Sequence, residues 1–167
     1  GQRQARLDQL IRAYRVRGHA IARLDPLEQR PVSHPELELS FHGLSDSDLD
    51  QPFSRLSAHG AVEVKTLRAI VSQLRNTYCR SIGVQFMHID NQQIRHWLQS
   101  RMEETENHCH LTPQEQTRIL TKLTDAEVFE DFIHRKFLGA KRFSLEGGET
   151  LIPLLDRAIE EAAKWGV

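Results

Sequence analysis

Cysteine is scarce: the chain of 167 residues holds two, Cys79 and Cys109. Two cysteines build no disulfide framework, which favours a reducing, cytosol-type compartment. Excess charge is missing as well. There are 22 lysines and arginines against 23 aspartates and glutamates, a formal net charge of −1, which argues against a dedicated nucleic-acid binder. No apolar run approaches the ~20 residues that span a bilayer. The first residues, GQRQARLDQL, are polar and contain no signal-peptide core. A composition of 39% hydrophobic and 27% charged residues is globular and speaks against wholesale disorder. The length suits one domain, or one domain and a piece of the next. The chain starts at Gly1 rather than Met and stops at Val167 after Trp165 and Gly166, so both ends are expected to be cuts in a longer protein.

What is present is mostly helical pattern. From Gln2 to about His19, the residues Leu7, Leu10, Ile11 and Tyr14 share one helical face. Arg3, Arg6, Arg12, Arg15 and Arg17 crowd the rest, and Gly18 is a natural end. Pro26, Pro31, Pro35 and Pro52 mark residues 20–60 as largely irregular, because each removes a backbone donor and biases its predecessor away from helix. Within that stretch Leu37, Leu39 and Phe41 alternate as in extended chain, and Ser45 with Asp48 can cap a single turn. The segment is expected to lie over other elements with little core of its own.

Val64 to Tyr78 carries the clearest stripe: Leu67, Ile70, Val71, Leu74 and Tyr78. Ile82, Val84 and Phe86 alternate as in a short strand. Asp90, with Gln93 three residues on, is placed to cap a helix whose apolar face is Ile94, Trp97, Leu98, the Arg101 stem and Met102. Thr112-Pro113-Gln114-Glu115 is a strong helix start, followed by Ile119, Leu120 and Leu123. Thr124 with Glu127 repeats the device ahead of Val128, Phe129, Phe132 and Ile133. A last helix, Leu151 to Ala163, follows Gly147-Gly148.

His108-Cys109-His110 is the densest group of metal-ligand types, with Glu103, Glu104 and Glu106 nearby. Zinc ligands are normally two to five residues apart so that each can turn to one ion. Alternating neighbours do not converge easily, and a polar interhelical loop is the better reading. The arginine-rich first helix could grip phosphate, but Tyr14 is its one aromatic for base stacking, so a solvated or subunit-facing helix is favoured. His88 reads best as a structural histidine, and no nucleophile elbow is present. The run Lys141-Arg142-Phe143-Ser144-Leu145-Glu146-Gly147-Gly148-Glu149 differs in kind. Cations, an aromatic and a glycine pair directly before a helix make a candidate anion or dicarboxylate site, since helix-start amides favour anions. As an isolated pattern it is weak, and a bare turn is the commoner reading of a glycine pair before a helix.

Ordered blocks carry a resemblance over nearly the whole chain. They are Tyr14-Arg15-Val16-Arg17-Gly18-His19, Leu24-Asp25-Pro26-Leu27, His34-Pro35-Glu36-Leu37 and Phe41-His42-Gly43-Leu44. Further on come Leu74 to Cys79, Ser81 to Ile89, and Lys141 to Gly148 with Leu151-Ile152-Pro153. In these the chain resembles the thiamine-diphosphate-dependent, decarboxylating first component of the 2-oxoglutarate dehydrogenase complex. The resemblance implies a mainly α chain: a helical region over residues 1–125, then residues 126–167 as the incomplete start of an α/β thiamine-diphosphate-binding fold. Phe143 matches an aromatic lining the 2-oxoacid pocket, and Arg142 is carried over as its substrate-binding neighbour. The family's His-Arg-Gly and Gly-Asp-Gly…Asn motifs are absent from these residues. No catalytic, cofactor-binding or metal-binding residue is therefore expected in the chain, which should be inactive alone. For the parent protein the resemblance implies thiamine diphosphate and Mg²⁺, a homodimer, and succinyl transfer to the lipoyl groups of a dihydrolipoyl succinyltransferase. Neither nucleic acid nor membrane is an expected partner, and bacterial cytosol and mitochondrial matrix both fit. The related 2-oxoadipate-specific enzyme and a non-catalytic helical interaction module are the alternatives.

Overall fold

In the computed structural model the stripe Leu7, Leu10, Ile11 and Tyr14 is buried along α1 (Gln2–Arg17), as its spacing predicts. The structure describes the chain except Pro26, residues 28–32 and 57–60, Arg142 and Val167. The expected effects of Pro26 and Pro31 therefore lie outside the described residues. Two compact units are present, Gly1–Cys109 and His110–Val167.

In the first unit α1 ends at Gly18, where a short 3₁₀ turn takes over as far as Ile21. Gly18 is required there for space rather than for backbone freedom. A Cβ at Gly18 would lie 2.5 Å from the Tyr78 Cβ and 3.1 Å from the Tyr78 carbonyl oxygen. The partner helix α2 (Leu67–Tyr78) buries Leu67, Ile70, Leu74 and Tyr78, and Thr66 caps it by accepting from the Ala69 amide at 3.3 Å. Phe86, beyond the end of α2, stacks on Tyr78 with centroids 6.1 Å apart.

Residues 33–50 lie over α1 as 3₁₀ turns at Pro35–Leu37, Leu39–His42 and Asp46–Asp48. The extended alternation expected at Leu37, Leu39 and Phe41 is not formed. Local bonds win instead: the Glu36 amide donates to His34 Nδ1 at 3.2 Å, and His42 Nε2 meets the Glu36 carbonyl at 2.8 Å. Gly43 then adopts φ +66°, a left-handed geometry that suits glycine, and closes the second turn. Ser45 and Asp48 form the expected reciprocal cap. Contrary to expectation the segment adds to the core, because Leu37, Leu44 and Phe53 are buried in it.

A hairpin that the sequence pattern hides follows. β1 (Pro52–Leu56) pairs antiparallel with β2 (Val62–Thr66), Phe53 opposite Lys65 and Arg55 opposite Glu63. Phe53 and Arg55 are buried, whereas Val62 and Val64 are exposed on the other face. The apolar residues of β2 thus face away from the core. Residues 82–86 form no strand, and Asn91 rather than Asp90 caps α3 (Gln92–Thr105), accepting from the Gln93 and Ile94 amides at 3.0 and 3.1 Å. On α3 Leu98 and Met102 pack against the core, but Ile94 and Trp97 are exposed, and the fully buried side chain is Glu103.

The second unit contains α4 (Pro113–Lys136) and α5 (Leu151–Lys164). Thr112, Pro113 and Glu115 start α4 with the expected capping box. Thr124 starts nothing: its Oγ1 donates to the Leu120 carbonyl at 2.9 Å and α4 runs straight through. Arg118 bridges to Asp156 and Glu160, Lys122 to Asp156, and Arg157 to Glu115. Apolar cover is thin. Val128, Phe129 and Phe132 on α4 and Leu154, Leu155 and Ile159 on α5 are exposed, and Pro153 is the buried residue of α5.

Replacing Gly18 with alanine should lower the unfolding free energy by about 1–3 kcal/mol through overpacking against Tyr78. Gly139→Ala, where φ is +78° and no atom lies within 4 Å of the new Cβ, should cost about 1 kcal/mol from strain alone. Urea unfolding of both variants checks the order, and equal losses would refute the steric account.

Candidate functional site

The most concentrated chemistry in the first unit is a buried carboxylate. Glu103 on α3 is 2% exposed. Arg15 of α1 donates to it from Nε at 2.7 Å and from Nη2 at 3.2 Å. Arg55 of β1 adds a bond from Nη2 at 2.9 Å, and the Tyr78 hydroxyl of α2 donates at 2.8 Å. Gln73 links the group further, donating to the Glu103 carbonyl at 2.9 Å and accepting from Arg55 at 3.0 Å. Burial by itself lowers the Arg15 pKa, but the hydrogen bonds and charge of Glu103 outweigh this and hold it above the usual range. Burial, then the Glu103 charge and hydrogen bond, push the Tyr78 hydroxyl well above its ordinary value, so it stays a donor. Every acceptor face of the carboxylate that these groups reach is occupied, and the cluster acts as a tie between elements.

Three of the other four arginines of α1 serve similar ends. Arg3 pairs with Asp48, Arg6 donates to the Gly43 carbonyl at 2.8 Å, and Arg17 meets Glu36 at 3.3 Å. The helix expected to be solvated or subunit-facing thus spends four guanidiniums fastening its own neighbours.

Two of the three acids near His108-Cys109-His110 turn elsewhere. Glu103 points into the core, Glu106 accepts from Asn76 at 2.7 Å, and His108 contacts Arg80. Among the described residues no three His, Cys, Asp or Glu side chains could share a metal ion. His88 is exposed in a turn. Among the described residues no helix is long and apolar enough to cross a membrane.

The Lys141–Gly148 loop of the second unit joins α4 to α5. Phe143 is 93% exposed, with the Lys141 ammonium 5.7 Å from its ring centroid. Arg142 lies outside the described residues. Glu130 of α4 accepts from the Leu145 amide at 2.8 Å. The Leu145 carbonyl accepts from Gly148 at 2.6 Å, and Gly147, at φ +83°, donates to Glu149 Oε1 at 2.9 Å. The start of α5 is the bare turn rather than the candidate anion site. Its first two amides, Leu151 and Ile152, donate to the Gly148 and Glu149 carbonyls at 3.0 Å, and Pro153 has no N–H. What the loop does present is an aromatic ring and a neighbouring cation on a tethered turn. Glu130, fifteen residues from its partner by the chain, carried no sequence signal, because an acid on an exposed helix face is commonplace.

Two measurements check this geometry. Glu103→Gln should cost about 3–5 kcal/mol, since it leaves buried guanidiniums without their counter-charge. Tyr78→Phe should cost about 1.5–3 kcal/mol, and the double variant less than the sum, in urea unfolding. Strict additivity would show that the groups act independently. Cysteine reactivity gives the second. Burial pushes the Cys79 thiol up to about 11 despite the nearby Arg75, while Cys109 is exposed. Iodoacetamide at pH 8 should therefore alkylate Cys109 well before Cys79, whose thiolate fraction is about one in a thousand. The Cys79 pKa is raised from 9.0 to about 11, so its contribution to stability is full below pH 9 and is lost as pH rises through 11. Equal labelling rates by mass spectrometry would contradict the burial.

No family model matches the chain. Curated relatives match it almost end to end. A multifunctional 2-oxoglutarate metabolism enzyme of Mycolicibacterium vanbaalenii is 45% identical over 99% of the chain, and the match spans 13% of that protein. The 2-oxoglutarate dehydrogenase E1 component of Cupriavidus necator is 41% identical over 100% of the chain and 18% of its own length. The E1/E2 component of Corynebacterium glutamicum is 44% identical over 99% of the chain and 14% of its own length. The chain thus spans less than a fifth of the length of the relatives it matches, and over that segment it belongs to the 2-oxoglutarate dehydrogenase E1 component family.

Proposed function

We propose that the chain is the helical part of a 2-oxoglutarate dehydrogenase first component, which decarboxylates 2-oxoglutarate oxidatively and passes the succinyl group to a lipoyl-bearing succinyltransferase. The observation that carries this is the identity of 37–45% to proteins so named, sustained over 95–100% of the chain. The name E1/E2 component, borne by the Corynebacterium relative, supports the association with a transferase. The exposed apolar faces of α4 and α5 support it too, since faces of that extent call for a neighbour. In this reading that neighbour is the α/β thiamine-diphosphate-binding fold of the whole protein, a homodimer.

Thiamine diphosphate and Mg²⁺ belong to this reading as properties of the whole protein. The described residues offer no metal donor set. The contribution of this chain is to the substrate pocket. Phe143 supplies apolar wall that excludes water beside the 2-oxoacid, which strengthens charge interactions there. Arg142 supplies a cation for a carboxylate, for which a guanidinium fork is well shaped.

Phe143→Ala in the full-length enzyme should raise KM for 2-oxoglutarate roughly tenfold, the scale of one well-packed apolar contact. The chain of residues 1–167 alone should release no CO₂ from 2-oxoglutarate in the presence of thiamine diphosphate and Mg²⁺. Substrate-dependent CO₂ release by it would overturn the division of labour, and an unchanged KM in the Phe143 variant would remove that residue from the pocket.

A further inference from the structure

The loop that bears Phe143 has no helix or strand of its own, and its aromatic ring is almost wholly exposed. A segment like this keeps a fixed place only if its backbone is bonded to something rigid. Its own turn supplies short-range closure: Gly148 donates to the Leu145 carbonyl, and Gly147 to Glu149. Those bonds shape the turn itself. The turn is also bonded to a neighbouring helix. The Glu130 carboxylate, half-buried on α4, accepts the Leu145 amide at 2.8 Å across fifteen residues of chain. A bond from a backbone N–H to an ionised carboxylate is about twice as strong as a neutral one. It acts two residues from Phe143, and Glu130 sits two turns from the end of a helix of 24 residues. A strong acceptor on a rigid element thus grips the loop next to the residue that matters.

We infer that Glu130 is the positioning residue of the 143–148 loop, holding Phe143 toward the 2-oxoacid through the Leu145 amide. This rests on the pocket role proposed for Phe143. Glu130 touches no reacting atom, so its effect must run entirely through the loop. Glutamine keeps a carbonyl acceptor at the same reach, whereas alanine removes it.

The test uses the full-length enzyme with Glu130→Ala, Glu130→Gln, Phe143→Ala and the Glu130→Ala/Phe143→Ala pair. Amide hydrogen exchange is the first readout. Glu130→Ala should speed exchange across residues 143–148 roughly tenfold while the body of α4 keeps its protection, and Glu130→Gln should restore most of it. Uniform loosening of α4, or no change in the loop, would overturn the inference. The second readout is KM for 2-oxoglutarate. Glu130→Ala should raise it with a smaller change in kcat, and should add nothing in the Phe143→Ala background. An undiminished effect in that background would show another route and overturn the inference. The outcomes separate the two readings. A silent Phe143→Ala overturns the pocket role and with it the substrate part of this inference, while loop exchange decides the anchoring itself. A strong Phe143→Ala with a silent Glu130→Ala leaves the pocket standing and removes Glu130.

Discussion

A single buried carboxylate organises the first unit. Removing an ion from water costs several kcal/mol, so Glu103 is tolerable at 2% exposure only with its donors in place. Those donors come from three other elements: Arg15 on α1, Arg55 on β1 and Tyr78 on α2. The requirement couples the elements more tightly than apolar contact would, since each must present one group at hydrogen-bond distance. It also accounts for the set of α3. With Glu103 turned inward, Leu98 and Met102 reach the core and Trp97 is carried outward, where Arg101 lies 5.9 Å from its ring. The hairpin is held the same way, because Arg55 reaches Glu103 while Phe53 on the same face enters the core.

The second unit is built on the opposite principle. Its helices are linked by exposed ion pairs such as Arg118–Asp156 and Arg157–Glu115, which solvent screens. Apolar residues that would stabilise a core remain open on both helices. Within such a unit individual hydrogen bonds, such as that from the Leu145 amide to Glu130, place the loop between the helices.

Legibility along the sequence followed the physics of each signal. The stripes of α1 and α2 were readable because burial there is apolar and one-sided, the condition under which helical periodicity speaks. The boxes at Ser45 and Thr112 were readable because a cap is a local hydrogen-bond exchange. Thr124 shows the limit of such reasoning: a side chain able to cap can also bond four residues back inside a helix, and the surrounding chain chose the latter. The hairpin escaped because Val62 and Val64 stand in solvent while Glu63 and Lys65 pair on the inner face, the reverse of the alternation that marks a strand. At α5 the glycine pair did precede a helix, but the turn it forms consumed the amides that an anion would need.

By itself the sequence determined which segments are helical, where most of them begin and end, and to which family the chain belongs, because these rest on local chemistry and on residue identity. The tertiary structure alone decided that Glu103 is buried among arginines, that four of the five arginines of α1 bind their own neighbours, and that Glu130 holds the Leu145 amide. Each of those joins groups far apart in the chain. A charged residue reads the same in sequence whether it faces water or a partner, and only the packing that brings the partner to within 3 Å distinguishes the two.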